Sequence, residues 1–120
     1  MKLLPIPEIE QFNALVDGSF FNLLKDYCED PQRVDPKKYI TINRKKLIEF
    51  LSANPDKAES YLKKQMEVSS SVTHDKPTIW KDNDGYVVAW MDHGKALDPK
   101  QFRSLPEAVA ELVLVNWGMY

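Results

Sequence analysis

A chain of 120 residues, 43% hydrophobic and 28% charged, is long enough for one domain around a single modest core and too apolar to stay disordered. Its formal charge of −2 and pI near 5.7 give no global pull toward nucleic acid or an anionic membrane surface. The only cysteine, Cys28, cannot close an internal disulfide, which makes a reducing cytoplasm the expected compartment.

Residues 1–7 hold one lysine and a short apolar patch broken by Pro5 and Pro7, too short for a signal-peptide core or a spanning helix, so no membrane contact is expected. Ile6, Ile9, Phe12, Leu15 and Val16 then recur at helical spacing, and Phe20, Leu23, Leu24 and Tyr27 resume that period after Asp17-Gly18-Ser19. Glycine costs a helix only about 1 kcal/mol relative to alanine, so one kinked helix and two separate helices both fit. The stretch from Glu29 to Pro36, with prolines at 31 and 36, reads as a loop.

Leu47, Phe50 and Leu51 form the next apolar stripe, with Thr41 or Asn43 as its N-cap. Asn54-Pro55 ends that helix and starts another, asparagine serving as N-cap and proline as first helical residue. Ala58, Tyr61, Leu62 and Met66 are its expected buried stripe, fading into a flexible connection that begins at Ser69-Ser70-Ser71 and continues over Thr73 to Lys76.

After Pro77 the period changes to that of strands. Thr78-Ile79-Trp80-Lys81 and Tyr86-Val87-Val88-Ala89-Trp90-Met91 flank Asp82-Asn83-Asp84-Gly85, and Asp84-Gly85 at the corner of a type I′ turn predicts a hairpin with Trp80 opposite Ala89. The second strand is apolar on both faces, which marks it as central, or as covered on its second face by a helix or a partner. Lys95-Ala96-Leu97 suggests a short third strand before Asp98-Pro99. Ser104-Leu105-Pro106-Glu107 is a capping box opening a helix that is apolar over most of its circumference and closes at Trp117-Gly118. The expected fold is α+β in one domain: helices over residues 1–68, then a small antiparallel sheet and a packed C-terminal helix over 77–120.

Charge is unevenly spread along this plan. Residues 1–35 carry three basic and seven acidic side chains, whereas residues 36–64 carry eight basic and three acidic. The basic middle reads first as solvated helix surface balancing acidic segments of the same domain. A nucleic-acid-associated or regulatory surface over residues 37–64 is the alternative, with nucleic acid otherwise not expected as a partner.

Chemistry-bearing residues are few. Asp82, Asp84 and Gly85 look like part of a calcium loop, yet that loop needs an oxygen ligand where Trp80 stands and a bidentate glutamate where Met91 stands. His74 and His93 have no second ligand at metal spacing, and Asp92-His93 lacks a positioned nucleophile. Cys28 sits beside Glu29 and Asp30, which disfavour a thiolate. No catalytic set, metal or cofactor is therefore expected. Trp80 and Trp90 fall on opposite faces of the hairpin, so one core cannot take both. Asp75, Asp82, Asp84, Asp92 and Asp98 surround them with carboxylates, an arrangement suited to a basic protein partner. Trp80, Asp82, Asp84, Trp90 and Asp92 are the candidate partner-binding residues.

The run Ile79-Trp80-Lys81-Asp82-Asn83-Asp84-Gly85-Tyr86-Val87-Val88-Ala89-Trp90, leading into Phe102-Arg103-Ser104-Leu105-Pro106-Glu107-Ala108-Val109, sits in a stand-alone domain of this size. Taken whole, the chain resembles the small immunity proteins that bacteria make against their own secreted toxins, including those of contact-dependent growth inhibition systems. That resemblance implies a cognate toxin, often a nuclease, bound tightly and blocked in the cytoplasm. It carries over no binding residue.

Overall fold

The computed structural model describes residues 2–69, 76–92 and 95–117, without the side chains of 66–69, 76, 91 and 92. Among the described residues, five α-helices and one three-stranded antiparallel sheet make an α+β fold, helices first and a packed helix last. Of the connection expected from Ser69 to Lys76, Ser69 is helical and Lys76 is in a strand, and residues 70–75 lie outside the described residues, as do both histidines and Gly118.

Helix α1 runs Glu8–Asp17 and α2 runs Phe20–Leu24. They are two helices because Gly18 takes a left-handed conformation (φ 75°), its N–H closing onto the Ala14 carbonyl. The following loop is braced by two 3₁₀ turns, Pro31–Arg33 and Pro36–Tyr39. Asp30 and Asp35 start them, each carboxylate accepting from a backbone N–H two residues on. Gln11, fully buried on α1, fastens this region. Its amide donates to the Ile6 carbonyl and the Thr41 hydroxyl and accepts from the Thr41 N–H, all at 2.8 Å. Thr41 is thus engaged with α1, and Asn43 caps α3 (Arg44–Ala53) by accepting from the Lys46 N–H. Helix α4 is Pro55–Ser69. The Asn54 amide donates back to the Phe50 carbonyl at 2.8 Å, so this side chain serves the helix it ends, while the Asn54 backbone carbonyl accepts from the Lys57 N–H at 3.0 Å.

Strands β1 (Lys76–Asp82), β2 (Gly85–Asp92) and β3 (Lys95–Phe102) lie in that order, with the doubly apolar β2 in the centre. Two expectations need correction. Trp80 pairs with Val87, not Ala89, and Asp82 with Gly85, so Asn83-Asp84 form the corner. Among the described non-glycine residues only Asp98 has positive φ, which excludes a type I′ turn here. The Asp82 carboxylate accepts from the Asp84 N–H at 3.0 Å, and Gly85 (φ 137°) supplies the positive φ after the corner. The register moves by two residues, so the faces assigned to Trp80 and Trp90 survive.

The third strand also does not stop at Asp98-Pro99. Val88 pairs with Lys100 and Trp90 with Leu97, leaving Ala89 opposite both Asp98 and Pro99. This is a β-bulge with Asp98 in the left-handed region (φ 48°), a position aspartate tolerates better than most residues. The strand continues past it to Phe102.

Helix α5 (Leu105–Asn116) packs against α3, α4 and all three strands and buries every residue from Ala108 to Leu114. Its cap is formed by the Ser104 hydroxyl, which accepts from the Glu107 N–H and donates to the Glu107 carboxylate; the carboxylate meets the hydroxyl, not the serine N–H. Ile79 and Val88 on the inner sheet face join Leu47, Leu51, Ala58, Leu112 and Val113 in one core. Tyr61 belongs to it as well, accepting from the Asn116 amide at 3.2 Å. Burial pushes the Tyr61 phenol from 10.0 up to about 12, partly countered by that hydrogen bond. An unfolded tyrosine ionises first, so this contribution is complete below pH 10 and is lost as pH rises from 10 to 12. A rise of that size corresponds to about 2–3 kcal/mol. Urea midpoints at the two ends of that window should fall more for the native chain than for Tyr61→Phe, and equal falls would refute the assignment.

Candidate protein-docking site

The bulge decides what gathers at the far end of the sheet. Side chains alternate along a strand, so Leu97 and Lys100, three apart, would ordinarily point to opposite faces. The extra residue puts both on the inner face, Leu97 opposite Trp90 and Lys100 opposite Val88. Helix α5 runs back over this face and ends at Asn116, leaving Trp90 and Leu97 each 45% exposed beyond the inner-face core. Between them and the helix lies a cleft of about 330 Å³, walled by Pro77, Trp90, Leu97 and Val115.

One end of the cleft is ionic. Glu111, 1% exposed on the most apolar helix, holds Lys100 Nζ with Oε1 at 3.2 Å and Arg44 Nη1 with Oε2. A buried carboxylate is tolerated only with such partners. The triad joins the start of α3, the middle of α5 and β3. Asp98, exposed on the bulge, is the remaining charged residue lining the cleft among the described residues.

The five candidate residues named from sequence do not make one patch. Trp90 is the exposed tryptophan. Trp80 is half-buried on the outer face beside Val87. Asp82 accepts from the Gln101 amide as well as the Asp84 N–H, both at 3.0 Å, so it braces the turn, and Asp84 is exposed there. Five residues of strand, roughly 17 Å, separate that turn from Trp90. Asp92 ends β2 with its side chain outside the described set. The residues missed were Leu97, Lys100, Glu111 and Arg44. Only Glu111 left a signal, a lone carboxylate within Ala108–Val115.

Elsewhere, Trp117 packs edge-on to Phe20 at 5.4 Å and beside the half-exposed Phe21 at 5.7 Å. In the basic stretch, Arg44 and Lys46 are engaged by Glu111 and Glu8, which fits the reading of cations balanced by acids of the same domain. Cys28 is half-buried, its thiol donating to the Leu24 carbonyl at 3.2 Å. Among the described residues no helix is long and apolar enough to cross a membrane, and no three His, Cys, Asp or Glu side chains gather as a metal site. No protein-family model, curated protein or solved structure matches the chain.

Proposed function

We propose that this chain is an immunity-type protein that binds and neutralises a cognate bacterial toxin, docking through the Trp90–Leu97 end of its sheet. The observation that supports this reading is the exposed pair itself, two large apolar side chains directly opposite each other on adjacent strands, above a cleft. Tryptophan is enriched among the residues that dominate binding energy, and a concave apolar neighbourhood is where such an anchor has most effect. The toxin would be occluded by contact alone, in the cytoplasm, without a cofactor.

Co-expression with the product of the adjacent gene tests the proposal. The pair should co-purify and the chain should restore growth. Trp90→Ala should weaken the complex by about 2 kcal/mol or more, roughly thirtyfold in Kd, while leaving thermal unfolding nearly unchanged. Rescue that persists in Trp90→Ala/Leu97→Ala would remove this surface from the mechanism, and absence of both co-purification and rescue would end the immunity reading.

A further inference from the structure

We infer that the cleft beside Trp90 receives one large uncharged apolar side chain, leucine- or phenylalanine-like, presented on a loop of the protein partner. This rests on the docking reading above and adds the chemistry of what enters. The walls are apolar, and about 330 Å³ is at the small end of ligand-binding pockets, room for one bulky side chain. The charge around it is balanced. Both oxygens of Glu111 are already engaged, by Lys100 and by Arg44, and among the described residues Asp98 carries the one further charge in the lining.

A cation entering here meets Lys100 and finds the floor carboxylate occupied. An anion meets Asp98 and Glu111. Among the described residues the one counter-charge left for a cation is Asp98, exposed at the rim, where an ion pair in water gains little, so either charge would lose hydration without a buried partner, whereas an apolar group loses nothing by entering. The rim still has hydrogen-bonding capacity of both signs. Lys100 is about half exposed and has N–H groups beyond the one directed at Glu111, and the Asp98 carboxylate is exposed. A donor and an acceptor side by side suit the carbonyl and N–H of a peptide backbone, which favours a side chain carried on a loop over a free apolar molecule. Of the aspartates that suggested a basic partner, Asp98 reaches this cleft, and it does so at the exposed rim.

The test titrates N-acetyl amides of leucine, phenylalanine, arginine and glutamate into the intact protein, read at the Trp90 indole N–H resonance, identified by its loss in Trp90→Phe. The two apolar probes should shift it saturably, with dissociation constants at least about tenfold below those of the charged probes. Raising salt should leave their affinity within about twofold, since no ion pair forms. Val115→Phe, which fills the cleft while keeping Trp90, should abolish the shift. Equal or tighter binding of arginine or glutamate, strong salt sensitivity, or no saturable shift from any probe would overturn the inference. Benzene shifting the resonance as tightly as the phenylalanine amide would also overturn it, because the backbone groups would then contribute nothing. The two readings fail separately. Loss of rescue in Trp90→Ala with charge-selective probes removes only the inference, whereas retained rescue removes the docking site.

Discussion

Replacing Arg44 with methionine is expected to lower the unfolding free energy by about 2–3 kcal/mol, because it strips one of two counter-charges from a fully buried carboxylate. Arg44→Met/Lys100→Met should cost more, about 4–5 kcal/mol, since Glu111 is then buried with neither partner. Glu111→Gln should be milder, near 1 kcal/mol, because Arg44 and Lys100 are each about half exposed and can turn to water. Adding Glu111→Leu to the double variant should recover most of the loss, as an apolar triad removes the desolvation penalty together with the pairing. Urea midpoints at constant m separate these cases. A double variant no weaker than Glu111→Gln would show that the carboxylate is not held by these cations.

Gly85→Ala should be at least as damaging, with a loss of about 3 kcal/mol or more. A Cβ at this position would stand 2.3 Å from the Phe102 carbonyl oxygen, a backbone atom that cannot swing aside, in a residue at φ 137°. The strain falls where β2 meets the end of β3. Backbone amides of both strands should therefore exchange hydrogen faster than those of α1, which is remote from the clash. Gly18→Ala is the control. It has positive φ but nothing within 4 Å of the added atom, and should cost only about 1–2 kcal/mol. If the two glycines tolerate alanine equally, close packing at the hairpin is not what selects glycine at 85.

Much of this architecture was legible because local rules and tertiary demands agree. Ser104 with Glu107, Asn43 before a Leu47–Phe50–Leu51 stripe, and proline after asparagine at 54–55 each announce an end, and the structure ends its helices there. The doubly apolar Tyr86–Met91 run announced a central strand for the same reason. Local chemistry misled where a side chain had a longer-range alternative. Asp84-Gly85 looks like a tight corner, but the Asp82 carboxylate, held also by Gln101, moves the corner back to Asn83-Asp84. Asp98-Pro99 looks like a strand terminator, but a bulge absorbs both residues. The cleft was hidden for a related reason. Leu97 and Lys100 share a face only because of that bulge, and Arg44 reaches Glu111 across 67 positions of sequence, a pairing no periodicity reports.

The same bulge bears on whether a second copy of the chain can add to the sheet. β3 is an edge strand, exposed along nearly its whole length, and an open edge invites a second copy to add a strand of its own. Here the invitation is withdrawn at the middle. Pro99 has no N–H to offer, Asp98 kinks the ladder, and Lys95 and Lys100 put charge on either side. Edge-to-edge stacking into fibres is thereby discouraged without covering the strand. On the proposed docking reading, a partner arriving at this end of the sheet would be met by side chains, Trp90 and Leu97 first, and selectivity would reside in shape and polarity instead of in main-chain pairing that any extended peptide could supply.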